Sequence, residues 1–142
     1  MTPLAAFDAD VLIYAAAVDH PLGAPVARLF SEAGGNWPVG IGSVLLLPEV
    51  LAKPMRDDPE SAETAALLSL LSRIDLRPTD EPTARLALVL SVKYGLRAAD
   101  AAHLATAVGG GATRFITNNR KDFPQAISEI DIVYPDQLPG YA

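Results

Sequence analysis

Four acidic residues, Asp8, Glu49, Asp100 and Asp122, occupy positions unlike those of ordinary solvated charges. Asp8 closes the short apolar run Leu4 to Phe7, and Asp122 lies in the polar turn TNNRKDF after a strand expected to end at Ile116. Asp100 falls in the first turn of a helix among Ala98, Ala99, Ala101 and Ala102, whose small side chains let other backbone approach closely. Glu49 is flanked by Leu45, Leu46, Leu47, Val50 and Leu51, so its carboxylate needs a partner if that helix packs on a sheet. Oxygen donors of this kind suit a hard cation such as Mg²⁺ or Mn²⁺, which keeps several waters and is held by one or two carboxylates plus substrate phosphate. A cation so held can activate water, orient a phosphodiester for in-line attack and stabilise the leaving oxygen.

Each of these residues also has a purely structural explanation. Asp8 can cap the helix that follows it and Asp100 can favour a helix N-terminus, each for about 0.5–2 kcal/mol. Asp10 is either a water-mediated metal ligand or the cap of the helix after it. His103 shares a helix face with Asp100, but Leu104 and Ala107 are its apolar neighbours there, so a packed core histidine is expected. His20, beside Pro21, is expected in solvent, and Trp37 in packing. Leu67, Leu68, Leu70 and Leu71 read as core or dimer surface. Thr117 and Asn119 are candidates for supporting the acids. Arg120 and Lys121 are candidates for binding phosphate at the pocket mouth, or form a charged turn without function.

The elements that must position the acids follow from apolar periodicity and stop signals. Leu4 to Phe7 reads as a buried strand and Val11 to Val18 as a helix. A second helix starts near Leu22 and ends at Gly34-Gly35, and Trp37 to Ile41 reads as the second strand. Ser43 is expected to cap a helix through Lys53; Pro48 must either kink that helix or begin its regular part, and a kink just before Glu49 is expected. A helix over about Glu60 to Ile74 precedes a short edge or connecting strand, Asp75 to Arg77. Thr79 or Asp80 opens a helix to Tyr94, stopped by Gly95, and another runs from Ala98 into Gly109-Gly110-Gly111. Thr113 to Ile116 and Ile130 to Tyr134 complete about five strands. Strands alternating with helices indicate an α/β domain with a mostly parallel central sheet flanked by helices. A single domain is expected over residues 1–142, with its core at about 4–135 and 136–142 as a surface tail.

Composition narrows the function. At 142 residues, half of them hydrophobic, the chain can bury a full core without a staple. The absence of cysteine excludes a disulfide scaffold, a thiolate zinc site and a cysteine nucleophile, and suits a cytoplasmic protein. The opening MTPLAAFDADVLIY lacks a basic leader and carries acids, so neither a signal peptide nor a membrane span is expected. A net charge of −6 argues against nonspecific coating of nucleic acid, which needs a basic stripe. An acidic protein that acts on phosphodiesters must bring cations to them.

The run FDADVLIYA, the acid in SVLLLPEVLA, the helix LRAADAAHLATA and the late FITNNRKDF fall in one order from Phe7 onward. In that order and spacing the chain resembles the PIN-domain family, especially the bacterial VapC-type toxins, across Phe7 to Tyr134. The resemblance implies a Rossmann-like sheet and an acidic pocket that binds Mg²⁺ or Mn²⁺ and cleaves RNA. It matches Asp8 and Asp100 to the family's metal positions, Glu49 to its second acid and Asp122 to the acid of the terminal motif. It further implies a homodimer and an antitoxin that covers the pocket. Two departures stand out. Ala9-Asp10 replaces the usual hydroxyl or amide residues, and Asn119 replaces an acid, which favours one tightly held metal over two.

Two rival functions fit parts of the same pattern. FDADV also matches the nucleophile motif of haloacid dehalogenase-like phosphatases, with Asp8 attacking phosphate and Asp10 as acid or base. That family's lysine and acid pair should follow ITNN, yet after Phe123 only Glu129, Asp131 and Asp136 occur, with no lysine. The other rival is a catalytically weak PIN-like module that binds RNA or protein, since acidic pockets also take arginines.

Overall fold

The computed structural model describes residues 4–141, so Met1 to Pro3 and Ala142 of the expected 1–142 domain lie outside the described residues. β1 (Ala5–Phe7) leads through α1 (Ala9–Ala16) and α2 (Ala24–Ala33) to β2 (Gly40–Ser43). α3 (Leu46–Asp57) and α4 (Ala62–Ser72) lead to β3 (Ile74–Arg77), and α5 (Glu81–Tyr94) and α6 (Ala98–Gly109) to β4 (Arg114–Ile116). β5 (Asp131–Val133) and a 3-10 turn at Pro135–Gln137 follow. The sheet has five strands in the order β3-β2-β1-β4-β5, every neighbouring pair parallel, so β3 is the edge strand that its short polar run suggests.

Strand side chains alternate between faces, and the core divides accordingly. Ala5, Phe7 and Ile116 pack with Val11, Leu12, Val26, Phe30, Leu46 and Leu67 on the face covered by α1 to α4. Ala6, Ile41 and Phe115 pack with Leu90, Leu104, Ala105, Phe123 and Ile132 on the face covered by α5 and α6. Gly40 allows β2 to lie against β1, because a Cβ there would stand 2.4 Å from the Ala5 carbonyl oxygen.

Local chemistry sets the helix ends. Asp80 caps α5 by accepting from Thr83 N, and Gly95 ends it in the left-handed conformation at φ 68°. α3 departs from expectation: Ser43 is the last residue of β2, and its hydroxyl accepts from Leu45 N. The helix begins at Leu46, so Pro48 sits in the first turn, where its missing N–H is one the helix would leave unpaired, and no kink before Glu49 is required. The interior proline is Pro54, beyond the expected end at Lys53. β2 is shifted from the expected Trp37 to Ile41, and Trp37 is 62% exposed rather than packed, its indole N–H donating to Ser72 O. His20 is not free in solvent; its ring stacks on Tyr14 at 4.4 Å and Nδ1 accepts from Leu22 N. In α4, Leu67 and Leu71 are core whereas Leu68 is exposed. The segment expected as a tail is anchored, since Leu138 is buried among the α1 to α4 core residues. Among the described residues no helix is long and apolar enough to cross a membrane.

Candidate active site

In the order β3-β2-β1-β4-β5 the chain leaves β1 to one side and returns at β4 on the other, so the strand order reverses between these two parallel strands. Open α/β sheets bind ligands outside the carboxyl ends of their strands at such a point. Asp8 directly follows β1 and Thr117 directly follows β4. The ladder continues one step past the strands, with Asp8 N donating to Ile116 O at 2.9 Å and Thr117 N to Val133 O at 3.1 Å. Both side chains are thereby delivered to the same crevice.

Both Asp8 oxygens are engaged. Oδ1 accepts from Ala9 N at 2.8 Å, capping α1, and Oδ2 accepts from the Thr117 hydroxyl at 2.8 Å. Because α1 starts at Ala9 rather than Val11, the structural and chemical explanations of Asp8 describe one residue doing both. Asp8 is 6% exposed. Burial pushes its carboxyl up, the Thr117 bond, His103 and the Ala9 bond oppose that, and Glu49 adds to it.

Asp10 is not a cap, because Asp8 takes that place and Asp10 falls inside the first turn of α1. Its Oδ2 accepts from Asn118 N at 3.1 Å, binding α1 to the turn after β4, while Oδ1 is buried without a partner. Burial, and then the charge of Asp8, raise its carboxyl to about 7. Asp100 comes from the opposite face, in the first turn of α6. Burial raises it, followed by the charges of Asp8 and Asp122, with a smaller contribution from Glu49. Asp100 is thus within electrostatic reach of Asp8, Asp122 and Glu49. Among the described residues, however, no group of three or more His, Asp or Glu side chains is drawn together closely enough to hold a metal ion.

Glu49 is not enclosed by its leucines. α3 turns Leu46, Val50 and Leu51 inward, which leaves the Glu49 side chain 34% exposed at the edge of the site. The partner its carboxylate requires is His103: Nε2 lies 3.0 Å from Oε2. His103 is 2% exposed, so burial is as expected, but it is not merely a packed histidine. Its position three residues after Asp100, on the same helix face, was the available signal.

In the turn after β4, Asn119 Nδ2 donates to Asp122 Oδ2 at 2.9 Å, and Asp122 N donates to Asn119 Oδ1 at 3.3 Å. Asn119 N donates to the Thr117 hydroxyl at 3.1 Å, joining this turn to Asp8. Arg120 is engaged elsewhere: its guanidinium donates to Asp136 at 2.6 Å and lies 4.2 Å from the centre of the Tyr134 ring. Lys121 is exposed and has no ion pair among the described residues. A cavity of about 500 Å³ between α5 and α6, lined by residues such as Leu45, Ala87, Leu88 and Ala102, contains no titratable group and is unsuited to acid chemistry.

The sequence family described as PIN domain matches residues 5–127. A solved structure described as a toxin–antitoxin complex from Klebsiella pneumoniae aligns with a TM-score of 0.64 at 25% identity, covering 92% of this chain and 97% of the other. No curated protein matches the chain.

Proposed function

The chain belongs to the PIN-domain family, and from that premise we propose that it is a Mg²⁺- or Mn²⁺-dependent endoribonuclease, the toxin of a toxin–antitoxin pair. The observation that supports this reading is that Asp8, which follows β1, and Asp100, in the first turn of α6 on the other face of the sheet, lie near enough for the charge of Asp8 to raise the Asp100 carboxyl. Family membership also removes the phosphatase alternative for Asp8.

The residues fit a hard cation. The acids supply only oxygen, three of their carboxyls are raised by burial and by one another, and Asp10 Oδ1 lacks a partner. Such a cation keeps several waters, so the absence of a tight three-ligand group does not oppose the fit. In this reading Asp8 and Asp100 hold it together with Glu49, and Asp122 completes the acidic set. When bound, it supplies Lewis-acid activation of water and neutralises charge on the phosphodiester.

The chain's own residues do the rest. Two hydrogen bonds fix the Asp8 carboxylate, and the Asn118 N–H fixes that of Asp10. Asn119 orients Asp122, and Lys121 offers an exposed charge for RNA phosphate. The partners proposed are cytoplasmic RNA, an antitoxin protein and a second copy of the chain.

The test is cleavage of an RNA panel with Mg²⁺ or Mn²⁺, with EDTA and Asp8→Asn as controls. Cleavage abolished by both is expected. Cleavage that persists in both sinks the reading, and metal-dependent RNA binding without cleavage supports the catalytically weak module. Growth arrest on expression, relieved by the adjacent gene product, tests the toxin assignment.

A further inference from the structure

We propose that His103 is a positioning residue that holds Glu49 against the acidic crevice, so that α6 sets the placement of two acids, its own Asp100 and the Glu49 of α3. The inference rests on the nuclease reading and adds to it a residue outside the acids.

Glu49 is a flexible carboxylate on an exposed helix position and nothing in α3 itself fixes it. Only Leu46, Val50 and Leu51 of that helix are buried, and α3 packs chiefly on α1 and α4, which lie on the face of the sheet opposite α6. Among the described residues, the bond from His103 Nε2 to Glu49 Oε2 at 3.0 Å is the sole side-chain hydrogen bond between α3 and α6. Where the Glu49 carboxylate is ionised it only accepts, and the ring then donates from Nε2.

The other end of that bond is rigid. Residues Ala101 to Ala107 of α6 are all buried, and the ring of His103 is 1% exposed within them. A side chain so enclosed has no freedom to follow Glu49; Glu49 must come to it. Asp100 and His103 are three residues apart on α6 and therefore on one face, so the same turn that presents Asp100 presents the anchor for Glu49. Glu49 reaches His103 from α3, so the pair links the elements on the two faces of the sheet next to the turn of α6 that carries Asp100.

The imidazole does not itself meet substrate. Its Nε2 is occupied by Glu49 and its Nδ1 is buried without a partner. It acts through the carboxylate it orients, in the manner of outer partners of metal ligands, whose loss typically costs about 10–100-fold in affinity.

The test compares wild type, His103→Gln, which keeps a donor near the Nε2 position, and His103→Leu, which does not, each alone and combined with Glu49→Ala. Mn²⁺ affinity is measured by titration calorimetry without RNA, and the Mn²⁺ dependence of RNA cleavage beside it. His103→Leu is expected to weaken Mn²⁺ binding about tenfold or more, His103→Gln to recover most of it, and His103→Leu to have no further effect once Glu49 is Ala. Should His103→Leu not fold, wild type against Glu49→Gln is read by the nitrogen resonance of His103 Nε2, which must shift. Equal Mn²⁺ affinity in wild type and His103→Leu, an equal loss with and without Glu49, or an unmoved resonance overturns the inference. A wild type that binds no Mn²⁺ and cuts no RNA overturns the nuclease reading as well.

Discussion

The Thr117 hydroxyl donates to Asp8 Oδ2 at 2.8 Å, joining the residue after β4 to the residue after β1 at the point where the strand order reverses. Thr117 is 0% exposed and its oxygen also accepts from Asn119 N, so one side chain ties Asp8 to the turn that carries Asp122.

Replacing that hydroxyl by a methyl leaves a buried carboxylate oxygen and a backbone N–H short of a partner. Thr117→Val is therefore expected to destabilise the protein by about 1–3 kcal/mol, against less than ~1 for Thr117→Ser, which keeps the hydroxyl. Urea denaturation of the three proteins at one pH measures this. Equal midpoints and slopes for wild type and Thr117→Val would count against the linkage.

Asp10 carries a separate pH signature. Burial and Asp8 raise its carboxyl from 3.8 to about 7, so the folded protein retains a proton that the unfolded chain gives up. That stabilisation is complete below the unfolded value and is lost as pH rises through the folded one, the reverse of an ion-paired aspartate. The cation-free protein should lose on the order of 2–4 kcal/mol from this residue between about pH 4 and neutrality. Asp10→Asn keeps an acceptor for Asn118 N–H and should remove that part of the slope. Stability profiles of both proteins in EDTA decide it, and parallel profiles would refute it.

Much of this architecture was legible because local rules and burial agree. The alternation of Ala5 and Phe7 against Ala6 is the sheet's two-faced core, and Asp80 and Gly95 end α5 where such residues should. The matching family assignment likewise rests on motifs present along the chain. What could not be read were relations across space. The contact of Glu49 with His103 spans 54 positions, and its leucine neighbours suggested enclosure although only one side of α3 is inward. Arg120 seemed available to phosphate until Asp136 and Tyr134 were brought to it by the C-terminal turn. Pro48 misled because its effect depends on where the helix begins, and that is set by β2 ending at Ser43.

The two basic residues of the turn should separate by readout. Arg120 is tied to Asp136 at the surface and stacked on the buried Tyr134 ring, so Arg120→Ala should cost about 1 kcal/mol of stability. Lys121 has no ion pair among the described residues, and Lys121→Ala should leave stability unchanged while raising the KM for RNA several-fold at low salt. The opposite pattern, with Lys121 affecting stability and Arg120 only KM, would reverse their proposed roles.

Binding of a divalent cation should be visible as stability without any substrate. Asp8, Asp10 and Asp100 repel one another when ionised, and Asp8 is additionally buried and Asp10 partly so. A ligand that binds only the folded state adds about 2.7 kcal/mol at a hundred times its dissociation constant. Saturating Mn²⁺ should thus raise the melting temperature by several degrees above neutral pH, and less at pH 5, where protons compete for the same oxygens. Asp100→Asn should melt no lower than wild type in EDTA, since a repelling charge is removed, yet gain little from Mn²⁺. If Mn²⁺ shifts wild type and Asp100→Asn equally, the cation binds elsewhere on this acidic surface, and Asp100 loses its place among the ligands.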